Sequence, residues 1–196
     1  MTSEGTKVEL LANPAPVGLM GFGVTTILLN LANAGFYGVD SMLVAVGIFY
    51  GGIAQIIAGI MEFRRGNTFG TTAFLSFGLF WESFVFLLVL PKFGIVAAIS
   101  PASFGAYLFI WGLFTLMMFI GTLRMNGALM TVFASLFILF FLLAAAVWSG
   151  NHVLSTLAGY EGVFCGLSAM YASAAILDDA SGNHFLSLFP VKPKKT

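Results

Sequence analysis

Charge is what this sequence has least of. Only 8% of its 196 residues are Asp, Glu, Lys or Arg, and the acidic and basic residues balance to a net charge of zero. Soluble domains carry roughly 25% charged residues, so the composition excludes an ordinary soluble fold. A neutral chain also lacks the basic surface that a nucleic-acid partner would require.

Groups that perform catalysis are scarce as well. The single cysteine, Cys165, cannot form an intramolecular disulfide, and we interpret it as a small packing residue within a helix. The two histidines, His152 and His184, have no metal-ligand spacing around them, so we expect no metal site. The glycine-rich run at residues 66–70 lacks the lysine of a phosphate-binding loop. We therefore expect neither an enzyme nor a bound cofactor.

Long apolar segments are abundant. Six of them have about 20 residues each, which is enough to cross a hydrocarbon core of about 30 Å. Backbone groups cannot stay unpaired in lipid, so the segments are predicted to be helices. The sequence thus predicts an all-α, six-span membrane domain over residues 13–178, between a segment at 1–12 and a tail at 179–196. The predicted spans are 17–37, 41–61, 71–90, 104–123, 129–148 and 154–177.

The basic residues are distributed unequally between the two ends of the spans. With six spans both termini lie on one side, and only Lys92 falls on the other side. Cytoplasmic loops are rich in Lys and Arg, so we predict a multi-pass cell-membrane protein with both termini in the cytoplasm. The first span lacks a cleavage-site pattern and is expected to stay in the protein. The basic residues on the terminal side are Lys7, Arg64, Arg65, Arg124, Lys192, Lys194 and Lys195.

Small residues recur at four-residue spacing on two spans. Gly47, Gly51 and Gly59 share a face of the second span, and Gly162 and Gly166 continue a face of the sixth that begins at Ala158. Such faces allow helices to approach closely. They predict either packing within the protomer or a narrow pore wall or subunit interface.

Amides and hydroxyls lie within the first two spans. Asn30, Asn33 and Gln55 carry amide groups that need partners in lipid. Each amide can join two helices or line a substrate path, and the sequence leaves both interpretations open. Thr25 and Thr26 can bond to the backbone of their own helix.

Carboxyl groups within the spans are candidates for proton coupling. Glu82 lies in the middle of the third span, and Glu161 lies about two turns inside the sixth. Each is either a proton carrier or a neutral, hydrogen-bonded structural residue. Glu62 lies at a span end, where we expect it to be solvated or to cap the helix. No Lys or Arg falls inside a span, which suits a weak monocarboxylate crossing with its proton.

Four motifs carry a family resemblance. The first, at residues 13–22, places two prolines before an apolar span, which is typical of a helix start whose N–H groups can face an anion. The four motifs are Asn13-Pro14-Ala15-Pro16-Val17-Gly18, Phe22-Gly23-x-Thr25-Thr26, Gly47-Ile48-Phe49-Tyr50-Gly51-Gly52-x-Ala54-Gln55 and Gly66-Asn67-Thr68-Phe69-Gly70. Together they resemble the acetate uptake transporter family, from about residue 13 to the end of the last span.

The resemblance implies transport of acetate and related short-chain carboxylates such as succinate, passive or proton-linked. It also implies a homo-oligomer, expected to be a hexamer, with one path in each protomer. An apolar constriction is implied at Phe22, Phe77 and Leu136, where Phe77 replaces the family tyrosine and lacks its hydroxyl. The residues we expect to contact substrate are Asn13, Pro14, Pro16, Gly18, Thr25, Thr26, Asn30 and Gln55.

Two other functions are compatible with the sequence. A channel for small neutral or cationic solutes, such as urea or ammonia, would also use a narrow, weakly polar pore. A signalling or structural membrane protein would need no pore, and the polar residues of the first two spans argue against it. Dependence of flux on a proton gradient, with competition between carboxylates, would favour the transporter.

Overall fold

Six long helices make up the membrane domain. The computed structural model describes residues 11–191, and over that range it contains no β-strand beyond the isolated bridge Asn126–Pro190. All six helices are long and apolar enough to cross a membrane, which confirms the predicted all-α, six-span fold. They are α1 (Ala15–Asn33), α2 (Ser41–Arg64), α3 (Thr68–Phe93), α4 (Pro101–Thr122), α5 (Gly127–Ser149) and α6 (His152–Ala180).

Polar caps fix the helix starts. The side chains of Asp40, Asn67, Ser100, Asn126 and Asn151 each accept a hydrogen bond from a backbone N–H in the first turn that follows. Because these caps precede the apolar residues, α3 to α6 begin before their predicted starts.

The end of α1 corrects the sequence prediction. The helix was expected to reach Tyr37 but ends at Asn33, because Gly35 adopts φ +91° and turns the chain away. The hydroxyl of Tyr37 then donates to the carbonyl of Leu28 at 2.7 Å. Burial, together with the nearby Asp40 carboxylate, raises the pKa of Tyr37, so its hydroxyl stays a neutral donor.

A π-helical segment interrupts α2. It covers Gly47–Ala54, between α-helical stretches at Ser41–Val46 and Gln55–Arg64. The Thr25 hydroxyl of α1 lies 3.5 Å from the carbonyl of Val46, just before the segment begins. No sequence pattern predicted this segment. Such segments are rare and occur frequently at functional sites.

Glycines join α1 to α6. A Cβ added at Gly166 would lie 2.7 Å from the carbonyl oxygen of Gly23, and one added at Gly162 would meet the Asn30 side chain. We call Gly23, Gly159, Gly162 and Gly166 the glycine seam. The seam shows that the small-residue face of α6 serves packing within the protomer.

The small-residue face of α2 also packs inside the protomer. A Cβ at Gly51 would lie 2.8 Å from Trp81 of α3 and 2.9 Å from Thr25 of α1. One at Gly59 would lie 2.7 Å from Leu75. The π segment therefore fits between α1 and α3 because its glycines leave no side chain in the way. Cys165 is likewise fully buried, with its sulfur 3.8 Å from the carbonyl of Val132.

Candidate functional site

Two cavities open at opposite ends of the helix bundle. The inner cavity, of about 70 Å³, lies where α1, α3 and α5 begin. The outer cavity, of about 360 Å³, lies where those helices end. The inner cavity is lined among others by Ala15, Leu19, Gln55, Asn67, Phe69 and Leu129. The outer cavity is lined among others by Leu29, Asn33, Phe104, Leu143, Asn151 and His152.

The three residues of the predicted constriction come together at the inner cavity. Phe22, Phe77 and Leu136 all line it, and each is no more than 6% exposed. The rings of Phe22 and Phe77 have their centroids 6.0 Å apart. Helices α1, α3 and α5 thus each place one apolar side chain in the same wall.

A second layer of aromatic rings lies behind this wall. Phe80 lines the outer cavity, and it follows Phe77 on α3 by three residues, a rise of about 4.5 Å. Its ring contacts Trp111 and Phe140, each with a centroid distance of 5.2 Å. Only about one helical turn of apolar side chains therefore separates the cavities along α3. We call Phe22, Phe77, Phe80, Trp111, Leu136 and Phe140 the aromatic barrier.

Sequence reasoning missed Phe80, Trp111 and Phe140. The chain has 22 phenylalanines, and nothing in their spacing distinguishes those that separate two cavities from those that face lipid. The available signal was the spacing of Phe77, Phe80 and Phe84, which places three aromatic rings along one face of α3.

Gln55 is the predicted substrate contact that lines a cavity. It is 1% exposed and borders the inner cavity together with Phe22. Its Nε2 donates to the carbonyl of Gly51 inside the π segment, at 2.6 Å. The π segment thus ends at an amide facing the inner side of the aromatic barrier.

The other buried polar residues of α1 lie away from the cavities. Thr25, Thr26 and Asn30 line neither cavity. Asn30 Nδ2 donates to the carbonyl of Thr26 at 2.9 Å, and Asn33 Nδ2 donates to Asn30 Oδ1 at 3.0 Å. Asn30 also packs on Gly162, as a residue that joins two helices does. Of these amides only Asn33 reaches a cavity, the outer one.

The proline-rich start of α1 borders the inner cavity through Ala15 rather than through its prolines. Pro14 and Pro16 are buried, and the carbonyl of Pro16 accepts a hydrogen bond from Ser173 at 2.7 Å. Gly18 packs against the Phe74 ring. The two prolines therefore anchor α1 in the bundle beside the cavity.

A polar cluster at the mouth of the inner cavity was not anticipated. Glu62 was expected to be solvated or to cap its helix, but its side chain is fully buried and its Oε2 accepts from Asn67 Nδ2 at 2.9 Å. Arg65 Nη1 donates to Asn13 Oδ1 at 2.6 Å and lies 4.0 Å from Glu62 Oε1. We call these four residues the mouth cluster. It binds the end of α2 to the starts of α1 and α3.

The carboxyls of Glu82 and Glu161 lie away from both cavities. Neither residue lines a cavity, and both are half-buried. The carboxyl of Glu82 packs against Gly52 of the π segment. One oxygen of each carboxyl is buried without a hydrogen-bond partner among the residues that the structure describes.

Fold and site together define a polytopic membrane protein in which two cavities face each other across a thin apolar barrier. The chain belongs to the GPR1/FUN34/yaaH family, whose sequence model matches residues 3–192.

Several similar proteins have transport names. The chain is 51% identical over 179 residues to the succinate-acetate/proton symporter SatP of Escherichia coli K12, covering 91% of this chain and 95% of SatP. It is 39% identical to the ammonia transport outward protein 2 of Saccharomyces cerevisiae, covering 86% of this chain and 62% of that protein. A solved structure described as the bacterial acetate channel SatP matches with a TM-score of 0.89 and 50% identity. That match covers 91% of this chain and 99% of the other.

Proposed function

We propose that this protein carries acetate and similar short carboxylates across the membrane, along a path through each protomer that joins the inner and outer cavities. The observation that supports this most is the aromatic barrier, where Phe77 and Phe80, one turn apart, border the inner and outer cavities. The similarity to SatP, a named succinate-acetate/proton symporter, supplies the substrate class.

The barrier favours passage of the neutral acid. Its six side chains carry no charge, and a bare carboxylate is costly to transfer into apolar surroundings. A carboxylic acid that binds its proton in one cavity can cross the barrier and release the proton in the other. Transport would then be passive for the acid and linked one-to-one with a proton for the anion.

Gln55 is the polar group that we propose to orient the acid at the inner face of the barrier. Rings of apolar side chains can close a pore by excluding water. Phe22, Phe77 and Leu136 would do so here, with Phe80, Trp111 and Phe140 behind them. Asn13, Pro14, Pro16 and Gly18 would contribute through the helix start that they form beside the cavity.

The orientation of the protein is also part of the proposal. Arg64, Arg65 and Arg124 lie at the end that holds the inner cavity, whereas Lys92 lies at the opposite end. The remaining basic residues of the predicted asymmetry, Lys7, Lys192, Lys194 and Lys195, lie outside the described residues. We propose that the inner cavity opens to the cytoplasm, with both termini there. A tag at the C-terminus that is accessible from outside intact cells would contradict this.

We further propose a homo-oligomer, a hexamer by family resemblance, in the cell membrane. Large apolar side chains such as Phe49, Phe86 and Ile110 are more than half exposed and need lipid or a neighbouring protomer as cover. The mass of the purified protein in detergent would test the subunit number. Each protomer contains both cavities, so transport does not depend on a path between subunits.

Uptake of labelled acetate into vesicles that contain the purified protein is the direct test, with protein-free vesicles as the control. An inward proton gradient should accelerate the protein-dependent uptake, and unlabelled propionate should compete. Protein-dependent acetate uptake that stays at the level of protein-free vesicles would reject the proposal.

A second candidate is passage of ammonia, because one similar protein is named an ammonia transport protein. Ammonia is small and neutral and could cross the same apolar barrier. Flux of methylammonium that unlabelled acetate does not inhibit would favour this candidate over carboxylate transport.

A further inference from the structure

The mouth cluster places a cation where the inner cavity opens. Among the described residues that line the cavity, none is charged, and Gln55 and Asn67 carry the side-chain amides. Arg65 stands just outside, with its side chain 31% exposed. The contrast between a neutral cavity and a cationic mouth is the starting point of the inference.

Arg65 is held from two directions by neighbours of the cavity wall. Its Nη1 donates to Asn13 Oδ1, which also accepts from the backbone N–H of the wall residue Ala15 at 3.1 Å. On the other side Glu62 Oε1 lies 4.0 Å away, and Oε2 of the same carboxyl holds the wall residue Asn67. The guanidinium is therefore fixed beside the opening.

The guanidinium keeps most of its binding capacity. An arginine has five N–H donors in a fixed fork, and Arg65 uses one of them on Asn13 among the described residues. At 4.0 Å the Glu62 oxygen lies beyond hydrogen-bond distance, so it attracts the cation without occupying a donor. Such a fork binds a carboxylate with two parallel hydrogen bonds.

We propose that Arg65 is a specificity-determining residue that admits dicarboxylates. One carboxyl group of the substrate enters the opening of the inner cavity, near the wall residues Ala15 and Asn67, and the second remains at the mouth on the Arg65 fork. A monocarboxylate has no second group, so it does not require Arg65. This inference rests on the proposed function, and it assigns a substrate subclass to the same inner cavity.

The test compares labelled acetate with labelled succinate in vesicles that contain the full chain. Exchange is measured with equal substrate concentrations on both faces, so that the orientation of the protein does not matter. Arg65→Gln should lower the succinate-to-acetate rate ratio by about tenfold or more, because hydrogen bonds to a charged group are lost, and should leave the KM for acetate unchanged. Arg65→Lys keeps the positive charge but lacks the guanidinium fork. Its succinate-to-acetate rate ratio should lie between that of the unmodified protein and that of Arg65→Gln.

Arg64→Gln is the matched control. Arg64 precedes Arg65 on α2 and is exposed, yet it makes no hydrogen bond within the described residues. The ratio should not change in this variant. If Arg65→Gln lowers acetate and succinate transport equally, Arg65 only fastens α2 to α1, and the inference is overturned.

The outcomes for the unmodified protein separate the inference from the proposed function. Acetate transport without succinate transport would overturn the role of Arg65 and leave the proposed function standing. Transport of neither acid would reject both. A succinate-to-acetate ratio that is the same in unmodified protein and Arg65→Gln would also reject the inference.

Discussion

The two halves of the bundle pack by opposite means. Helices α1 and α6 meet through the glycine seam, where backbone and side chains fill the contact. Helices α3, α4 and α5 meet through aromatic rings with centroid distances of 5.2–6.3 Å, and cavities remain on both sides of them. Added volume should therefore damage the seam, whereas removed volume should change the barrier's selectivity. The tightly packed contact between α1 and α6 thus stands beside a barrier that has free volume on both sides.

The seam is expected to respond most strongly to added volume. Gly162→Val should destabilise the protein by about 1–3 kcal/mol or more, because the added side chain would overlap Asn30. The unfolding midpoint in detergent should fall by roughly 2–4 °C per kcal/mol. Gly38→Ala is the control, since a Cβ there meets nothing within 4 Å. Equal midpoints for the two variants would show that the seam has spare room.

The corresponding change in the barrier is Leu136→Ala. Leu136 is 3% exposed, and truncating such a residue to alanine costs about 2–5 kcal/mol. Because Leu136 faces the inner cavity, we expect a value at the lower end and a folded protein. Uptake of bulkier carboxylates should rise relative to acetate. Ile138 is an exposed residue on the same helix, and Ile138→Ala should leave the ratio of bulkier carboxylate uptake to acetate uptake unchanged. A folded Leu136→Ala protein with unchanged selectivity would remove Leu136 from the barrier.

The sequence predicted the six spans and their close contacts better than it predicted the aromatic barrier. Six spans follow from segment length and hydropathy, and the small-residue faces indicated close packing. The π segment could not be predicted, because it depends on contacts with α1 and α3 that no local pattern encodes. The same is true of Glu62, whose burial is a consequence of its contact with Asn67 from the next helix. The family resemblance predicted the constriction residues Phe22, Phe77 and Leu136. Phe80, Trp111 and Phe140 could be identified only from the tertiary structure.

The buried amides of Gln55, in the inner cavity, and Asn30, beside the glycine seam, should respond differently when each is replaced by leucine. Gln55→Leu removes the hydrogen bonds that the Gln55 amide can make in the inner cavity. Loss of one hydrogen bond to a charged group costs roughly 1.5–3 kcal/mol, so the affinity for acetate should fall on the order of tenfold or more. Its unfolding midpoint should stay close to that of the unmodified protein. Asn30 packs against Gly162 of the seam, so Asn30→Leu should instead lower the unfolding midpoint. Wild-type acetate affinity in a folded Gln55→Leu protein would make Gln55 a packing residue.

The smallest effect is expected at Glu82. This carboxyl packs on the π segment and lines neither cavity, so Glu82→Gln should preserve both acetate uptake and its response to a pH gradient. Glutamine is close to glutamate in size and carries no charge. A variant that folds and transports acetate but no longer responds to the gradient would identify Glu82 as a proton carrier.

The claim that a neutral acid crosses the aromatic barrier is tested most directly by separating the two driving forces. Protein-dependent acetate uptake is measured first with an imposed pH gradient at zero membrane potential, and then with an imposed potential at equal pH. The barrier carries no charge, so uptake should follow the pH gradient and ignore the potential. Uptake that follows the potential and ignores the pH gradient would mean that the anion crosses alone, which would contradict the account.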